Sequence, residues 1–385
     1  MHLSNRSRTN PPSGIRTMFA LAANYPDAAN LGVGEPNYAT PEHIVERAVR
    51  ALREGATKYT PNAGIAELRK ALAAKLAAEN AIPGTERNIL VATGACETLM
   101  LCISSLLDPG DELLIPDPCW PNYLGQVHLA GGVAVPVRTY AEDAFHMRAK
   151  SLEEAITPRT KALLLNSPSN PTGAVLRREE LSDIAEVIRR HDLAVISDEP
   201  YEHLLYDGRV HVSLASLPGM ADRVLTVNSF SKTYAMTGWR VGFVHGPEEI
   251  IASMARLQEN FSSCVNAAAQ VACLAALDGP QDAVEKMRLG YQRRRDLLVE
   301  GLRSIPGVRC HMPEGAFYAF PDISAFGKSS EEMARLLLEK AGVVTVPGNA
   351  FGAAGEGFLR LSFAASETTI ETALERMRAF LTSLA

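Results

Sequence analysis

The chain has 385 residues, of which 46% are hydrophobic and 21% charged, and its formal net charge is −6. That length exceeds one small domain and fits a large domain plus a smaller one, with ample apolar material for a core. The acidic balance excludes a general nucleic-acid surface, and no uninterrupted apolar run is long enough to cross a bilayer.

From the N-terminus, residues 1–13 are polar and lack the apolar core of a signal peptide. Residues 28–41, rich in Gly, Asn and Pro, read as a folded loop. Thr40 is then expected to cap a helix with Pro41 at its first position; Ile44, Ala48 and Leu52 recur at helical spacing, and Gly55 ends it. A second helix is expected over 62–81, stopped by Pro83-Gly84. From there to about residue 246, short apolar runs alternate with helical stretches. The runs are 88–92, 112–116, 133–137, 161–166, 193–198, 224–229 and 239–245. Strands hydrophobic on both faces and separated by helices imply an α/β domain with a mostly parallel seven-stranded sheet covered on both sides.

Beyond Gly279 the texture changes. A long amphipathic helix over 281–304 is broken by Pro306-Gly307, and a helix around 330–341 follows. Strands near 343–346 and 358–363 and a last helix from Thr368 complete a small α+β domain. The expected division is 1–45 as N-terminal arm and part of the small domain, 46–280 as the large domain and 281–385 as the small C-terminal domain. Arg293-Arg294-Arg295 lies in a helical pattern with acidic neighbours and reads as a solvated helix face. The six cysteines form no CxxC pair and sit among apolar or small residues, as reduced thiols do, which points to the cytoplasm.

In open parallel sheets, ligands bind beyond the carboxyl ends of the strands, so the residues after each run carry the functional reading. After 88–92 comes Thr93-Gly94-Ala95-Cys96-Glu97, a small-residue turn opening a helix. Free N–H groups at a helix N-terminus suit a phosphate, and tight packing would account for the small residues equally well. After 161–166, Ser167-Pro168-Ser169-Asn170-Pro171-Thr172-Gly173 makes a rigid turn that aims the Asn170 amide, a donor suited to a phenolate oxygen. Asp198-Glu199-Pro200-Tyr201 places an acidic residue at a strand's end, as a helix cap, a metal ligand or a functional carboxylate. Glu199 and His203 fit one helical turn, but no further His or Asp at ligand spacing completes a metal site, and no metal is expected. The longest motif runs from Ser229 to Gly242. Lys232, in a loop rich in hydroxyls and glycine, is either a surface lysine or an amine made nucleophilic by burial and nearby cations. Arg240 and Ser229 would supply charge and hydrogen bonds to a phosphate close to it.

Together these stretches resemble the class I/II aminotransferases (aspartate/aromatic aminotransferase-like), the large fold-type I family of pyridoxal-phosphate enzymes. The lysine motif is similar to the family's signature. The resemblance continues in order through Leu31-Gly32-Val33-Gly34-Glu35-Pro36, Lys58-Tyr59-Thr60-Pro61, Gly94-Ala95-Cys96-Glu97, the Asn170 turn, Asp198 to Tyr201, Glu314-Gly315-Ala316-Phe317-Tyr318 and Phe358-Leu359-Arg360-Leu361-Ser362-Phe363. It implies pyridoxal 5'-phosphate as cofactor and ping-pong transfer of an amino group from an L-amino acid to a 2-oxo acid, 2-oxoglutarate foremost. By this resemblance Lys232 would be the Schiff-base lysine and would shuttle the proton between Cα and C4′. Asp198 would pair with the pyridinium nitrogen, Tyr201 and Asn170 would hydrogen-bond the phenolic oxygen, and Trp120 would stack on the ring. Ser229, Arg240 and the Ala95/Cys96 backbone would hold the phosphate. Tyr59 would reach the phosphate of the neighbouring subunit, making the active unit a homodimer. Arg360 would bind the substrate α-carboxylate as a two-pronged fork, with the Gly34 backbone, Asn170 and Trp120 beside it.

Two features depart from the family pattern. Members whose phosphate turn reads Ser-Gly-Thr use hydroxyls where Ala95-Cys96 offers backbone. One branch of dicarboxylate enzymes carries an arginine in the segment matching 258–264, which holds none here. The Ser13-Gly14-Ile15-Arg16 start instead resembles the branch with aspartate, aromatic and acyl-diaminopimelate substrates. A C–S β-lyase or another amino-acid lyase shares the lysine, aspartate and arginine and stands as the alternative. A nicotinamide dehydrogenase fits poorly, because no strand is followed by GxGxxG. A non-catalytic regulator would carry a helix-turn-helix segment, for which residues 1–30 are too short.

Overall fold

The computed structural model describes residues 2–10 and 14–384. Met1 and Ser13, with their part in the polar start and the Ser13-Arg16 motif, lie outside the described residues. The first strand, β1 (Ala29–Asn30), belongs to a small ribbon. The central sheet holds β2 (Ile89–Ala92), β3 (Glu112–Asp117), β4 (Val133–Arg138), β5 (Thr160–Asn166), β6 (Ala194–Asp198), β7 (Val224–Ser229) and β8 (Gly242–His245). Their order is β2-β8-β7-β6-β5-β3-β4, and β8 alone runs antiparallel to its neighbours. All seven expected strands meet in this sheet.

Alternation along each strand divides the core between two faces. Val91, Leu163, Val195 and Phe243 pack with Leu68, Leu76, Ile184 and Ala272 of the helices Ala66–Glu79, Arg178–Arg190 and Ala267–Asp278. Leu90, Leu164, Ile196 and Val244 pack on the other side with Leu99, Val127 and Met254 of Gly94–Leu106, Asn122–Ala130 and Glu248–Phe261. Each of the Val, Leu, Ile, Phe and Met side chains among them, withdrawn from water, contributes about 1.5–3 kcal/mol.

The C-terminal part contains β9 (Tyr318–Ala319), β10 (Val343–Val344), β11 (Val346–Pro347) and β12 (Leu359–Ser362), with helices Asp282–Arg303, Ser330–Ala341 and Glu367–Thr382. β10 pairs in parallel with β1, and β11-β12-β9 form an antiparallel sheet. The run expected as one strand near 343–346 is therefore split at Thr345 between two sheets. Met18 and Leu31 share an apolar cluster with Leu298, Leu337, Leu361 and Met377, so the N-terminal segment packs with the C-terminal part.

Two local expectations are corrected. Thr40 does not cap the helix Glu42–Arg53, whose N-cap is Pro41 without a side-chain bond. Its hydroxyl donates to Ala235 O (2.7 Å) and accepts from Trp239 Nε1 (3.0 Å), tying that helix start to the lysine loop. Trp239 belongs to a short turn, Thr237–Trp239, rather than to β8, because Arg240 takes a left-handed φ of 55°. Among the described residues no helix is long and apolar enough to cross a membrane.

Candidate active site

The carboxyl ends of β2, β3, β5, β6 and β7 present Thr93, Asp117, Asn166, Asp198 and Ser229, and the lysine loop spans from β7 to β8 at this same edge. Lys232 is partly buried, and its Nζ donates to Gly34 O at 2.7 Å. The amine stands 5.5 Å from the Phe317 ring centroid and 6.0 Å from that of Tyr201. Burial lowers its pKa to about 8; Glu35 opposes the shift, and the Arg360 and Arg240 charges add to it. Such an amine is neutral for a useful fraction of the time near neutrality, the state a nucleophile needs.

Asp198 is buried at the end of β6. Its Oδ2 accepts from Tyr123 OH at 2.5 Å, whereas Oδ1 is buried with no partner. Burial pushes its pKa up to about 7, the Tyr123 bond pulls it down, and the neighbouring Glu199 charge adds to the rise. Glu199 itself faces the interior, accepting from Ser197 (2.6 Å), Ser213 (2.8 Å) and His211 (2.8 Å). Glu202 likewise accepts from Asn80, Asn228 (2.6 Å each) and Lys75. Glu199, Glu202 and His211, rather than Glu199 with His203, bring their ligand atoms within 4.8 Å of one another. Their hydrogen bonds brace the 198–202 turn from behind.

Tyr201 is buried and its hydroxyl lies 3.0 Å from Tyr318 OH; burial raises the pKa of both phenols. Asn166 Oδ1 accepts from Asn170 N (2.8 Å), and Asn166 Nδ2 donates to Asp198 O (2.9 Å), so one side chain joins the two turns. Trp120 follows β3 and stands edge-on to Tyr123 at 5.4 Å.

At the other end of the group, Gly94 opens the 13-residue helix Gly94–Leu106. The first-turn N–H groups of Gly94, Ala95 and Cys96 have no intrahelical acceptor. Gly94 has φ +77°, and a Cβ there would collide with the Arg240 guanidinium; a Cβ on Gly242 would lie 2.6 Å from Ala95 N. Only glycines let these backbones meet. Ser229 is buried, and its Oγ accepts from Ser231 N (3.0 Å) and lies 2.8 Å from Ser231 Oγ. A cavity of about 1250 Å³ opens here, lined by Thr93, Cys96 and Arg240 and reaching Arg16, Met18 and Asn349.

Arg360, on β12, is only 2% exposed. Its Nη2 donates to Gly32 O (2.6 Å), its Nη1 to Asn170 Oδ1 (3.2 Å), and its Nε has no partner. The guanidinium lies 4.5 Å from the Tyr318 ring centroid and 5.0 Å from that of Phe351. No ion pair to Arg360 occurs among the described residues. A buried cation without a counter-charge is costly, and this one keeps its Nε free of any protein partner. Tyr59 stands apart from the group. It is 91% exposed and lines a separate hollow with Leu52 and Cys264.

The geometry thus gathers Gly34, Asn170, Asp198, Tyr201, Lys232 and Arg360 at one place and Ala95, Cys96 and Arg240 at another beside it. Sequence reasoning missed three members. Tyr123 lies in the first turn of the helix Asn122–Ala130, three residues after Trp120, where an aromatic residue reads as core. Ser231 sits one residue before the lysine. Tyr318 was quoted within a motif and given no role. The set fits pyridoxal phosphate on the orphaned Asp198 oxygen for a ring N–H, the low-pKa amine for an aldehyde, and the helix N-terminus with Arg240 for a phosphate.

A family model for aminotransferase class I and II matches residues 26–377. The chain is 45% identical over 384 residues to an aspartate aminotransferase of Pyrococcus abyssi, with 99% of this chain and 98% of that protein covered. It is 44% identical over 384 residues, with the same coverage, to aromatic-amino-acid aminotransferase 2 of Thermococcus litoralis. The solved structure of Thermus thermophilus aspartate aminotransferase with maleate matches with a TM-score of 0.94 and 43% identity, covering 98% of this chain and 99% of that one. These relatives are transaminases by name, which favours amino transfer over the lyase alternative. Similarity of this extent, over a fold-type I architecture, makes the chain a member of the class I and II aminotransferases, which work with pyridoxal phosphate.

Proposed function

We propose that this aminotransferase takes aspartate or an aromatic L-amino acid as donor and 2-oxoglutarate as acceptor, with Lys232 as proton carrier and Arg360 as carboxylate receptor. The observation that carries this reading is Arg360 itself, a buried guanidinium with an unpartnered Nε, set on the same Gly32–Gly34 loop that holds the lysine. The donor class rests on the relatives named for aspartate and for aromatic amino acids.

Pyridoxal phosphate, when bound, supplies an aldehyde for the amine and a ring that takes up the electrons left at the substrate Cα. Arg360 binds the α-carboxylate, and Asn170 and the Gly34 backbone orient it. Lys232, when neutral, would take the proton from the substrate Cα and carry it to C4′. Asp198 would accept the ring N–H through its unpartnered Oδ1, and that positive charge would return its carboxyl to the ionised form. Tyr201 and Asn170 would hydrogen-bond the phenolic oxygen, and Trp120 would stack on the ring. Arg240, Ser229 and the Ala95 and Cys96 N–H groups would hold the phosphate. The exposure of Tyr59 supports a homodimer in which it serves the neighbouring site. Free thiols at all six cysteines support the cytoplasm. The same reading takes 46–280 as the cofactor domain and 281–385 with 1–45 as the smaller one.

A panel of amino donors, read as the change in the cofactor spectrum without acceptor, tests the donor class. Aspartate or an aromatic amino acid should react fastest; preference for an aliphatic donor would overturn the assignment. The pKa near 8 adds a second expectation. Only the neutral amine attacks an aldehyde, so the rate at which apoprotein captures pyridoxal phosphate should rise with pH and level off above about 8. A stopped-flow rate that stays flat through that range would contradict it.

A further inference from the structure

We propose that His146 is a positioning residue for the substrate site: as an imidazolium between Glu180 and Glu314, it fixes the segment that carries Tyr318 to Arg360. The inference rests on reading Arg360 as the carboxylate receptor. His146 lies in the loop before the helix Ala149–Glu154 and is 6% exposed. Its Nδ1 is 2.8 Å from Glu180 Oε1 and its Nε2 is 3.0 Å from Glu314 Oε2. Ionised carboxylates only accept, so both ring nitrogens can bond only when both carry protons. Burial works against the charge, but the Glu314 bond and the two carboxylates outweigh it and raise the pKa above the usual histidine value.

Several of the surrounding charges are paired. Glu314 pairs with Arg209, with Arg177 at 3.6 Å, and accepts Val175 N at 3.1 Å. Glu180 accepts Arg177 N at 2.7 Å. Asp143 pairs with Arg148, and Glu142 lies 3.6 Å from Arg148. Asp183, Lys150 and His311 line the same surface hollow.

From Glu314 the chain leads directly into the site. The N–H groups of Glu314 and Gly315 both donate to Gly173 O (2.9 Å each), in the turn that holds Asn170. Tyr206 N donates to Glu314 O (3.1 Å) and Ala316 N to Leu204 O (2.9 Å), in the segment after Tyr201. A Cβ on Gly315 would come within 2.8 Å of Pro168 Cβ, so the contact has no slack. Three residues further on, Tyr318 packs under the Arg360 guanidinium and meets Tyr201 OH. The polar partners of His146 are Glu180 and Glu314, neither of them a residue proposed to hold substrate or cofactor, so it would act through Glu314.

Steady-state kinetics of the holoenzyme test this, comparing wild type, His146→Gln and Glu314→Gln between about pH 6 and 9. Below the histidine pKa, His146→Gln should raise the donor KM about tenfold with kcat changed far less. Above it, wild-type KM should climb toward the variant's value, because the ring loses the proton that bonds the second carboxylate. Glu314→Gln should reproduce the KM effect and serves alone if His146→Gln does not fold. A lower melting temperature with wild-type KM and pH profile would reduce His146 to a structural role and overturn the proposal. Nitrogen NMR of the apoprotein gives an independent readout: a His146 ring that is neutral at about pH 6.5 overturns it. If Arg360→Met leaves KM untouched, the underlying site reading fails. If it weakens binding while both other variants behave as wild type, only the His146 inference fails.

Discussion

Replacing Lys232 with alanine is expected to lower turnover by about ten-thousand-fold or more, since in the proposed mechanism one residue supplies both the nucleophile and the proton carrier. The neighbours make this sharp. With the cofactor bound, Asp198 would be an ionised carboxylate occupied by the ring N–H, and Tyr201 is a buried phenol whose pKa is raised, so neither replaces an amine near neutrality. The variant should still bind cofactor through Asp198 and the Arg240 end of the site, now without a borohydride-sensitive linkage. Single-turnover kinetics and cofactor absorbance after gel filtration measure the two effects separately. Turnover within tenfold of wild type would mean that another group carries the proton.

Arg360→Met is expected to produce the second-largest loss, in kcat/KM. Each hydrogen bond from a guanidinium to a carboxylate contributes about 1.5–3 kcal/mol, so losing two costs about 3–6 kcal/mol, on the order of 10²–10⁴-fold. Methionine fills the apolar space against Tyr318 and Phe351 and removes a buried charge without counter-ion. The fold should therefore stand, and the melting temperature of the apoprotein should hold or rise. Donor KM and binding of an unreactive carboxylate should weaken together; an unchanged KM would show that the carboxylate sits elsewhere.

The sheet was legible because its strands are short apolar runs bounded by turn residues, and a strand hydrophobic on both faces has few other places to go. Boundaries were less legible where a tertiary partner decides them. Thr40 has the chemistry of a cap, yet Ala235 O and Trp239 Nε1 take its hydroxyl. The valines of 343–346 give no sign that Val344 pairs with Asn30 while Val346 pairs with Arg360. At the candidate site, strand-end position singled out Asn170 and Asp198, and motif order supplied Arg360, which lies 128 positions beyond Lys232. Tyr123 lies within a helix, where an aromatic residue reads as core, and only the fold aims its hydroxyl at Asp198. His146 is a lone histidine in a loop, and its two glutamates are 34 and 168 residues away. No local pattern reports such a contact.

In the proposed mechanism Lys232 is the residue that bonds the cofactor. Borohydride reduction of the holoenzyme, followed by peptide mass mapping, tests it most directly. The pyridoxyl mass should appear on the peptide containing Lys232 and vanish with the visible absorbance when the amino donor is added first. A label on another lysine, or none on a protein that still turns over, would contradict the account.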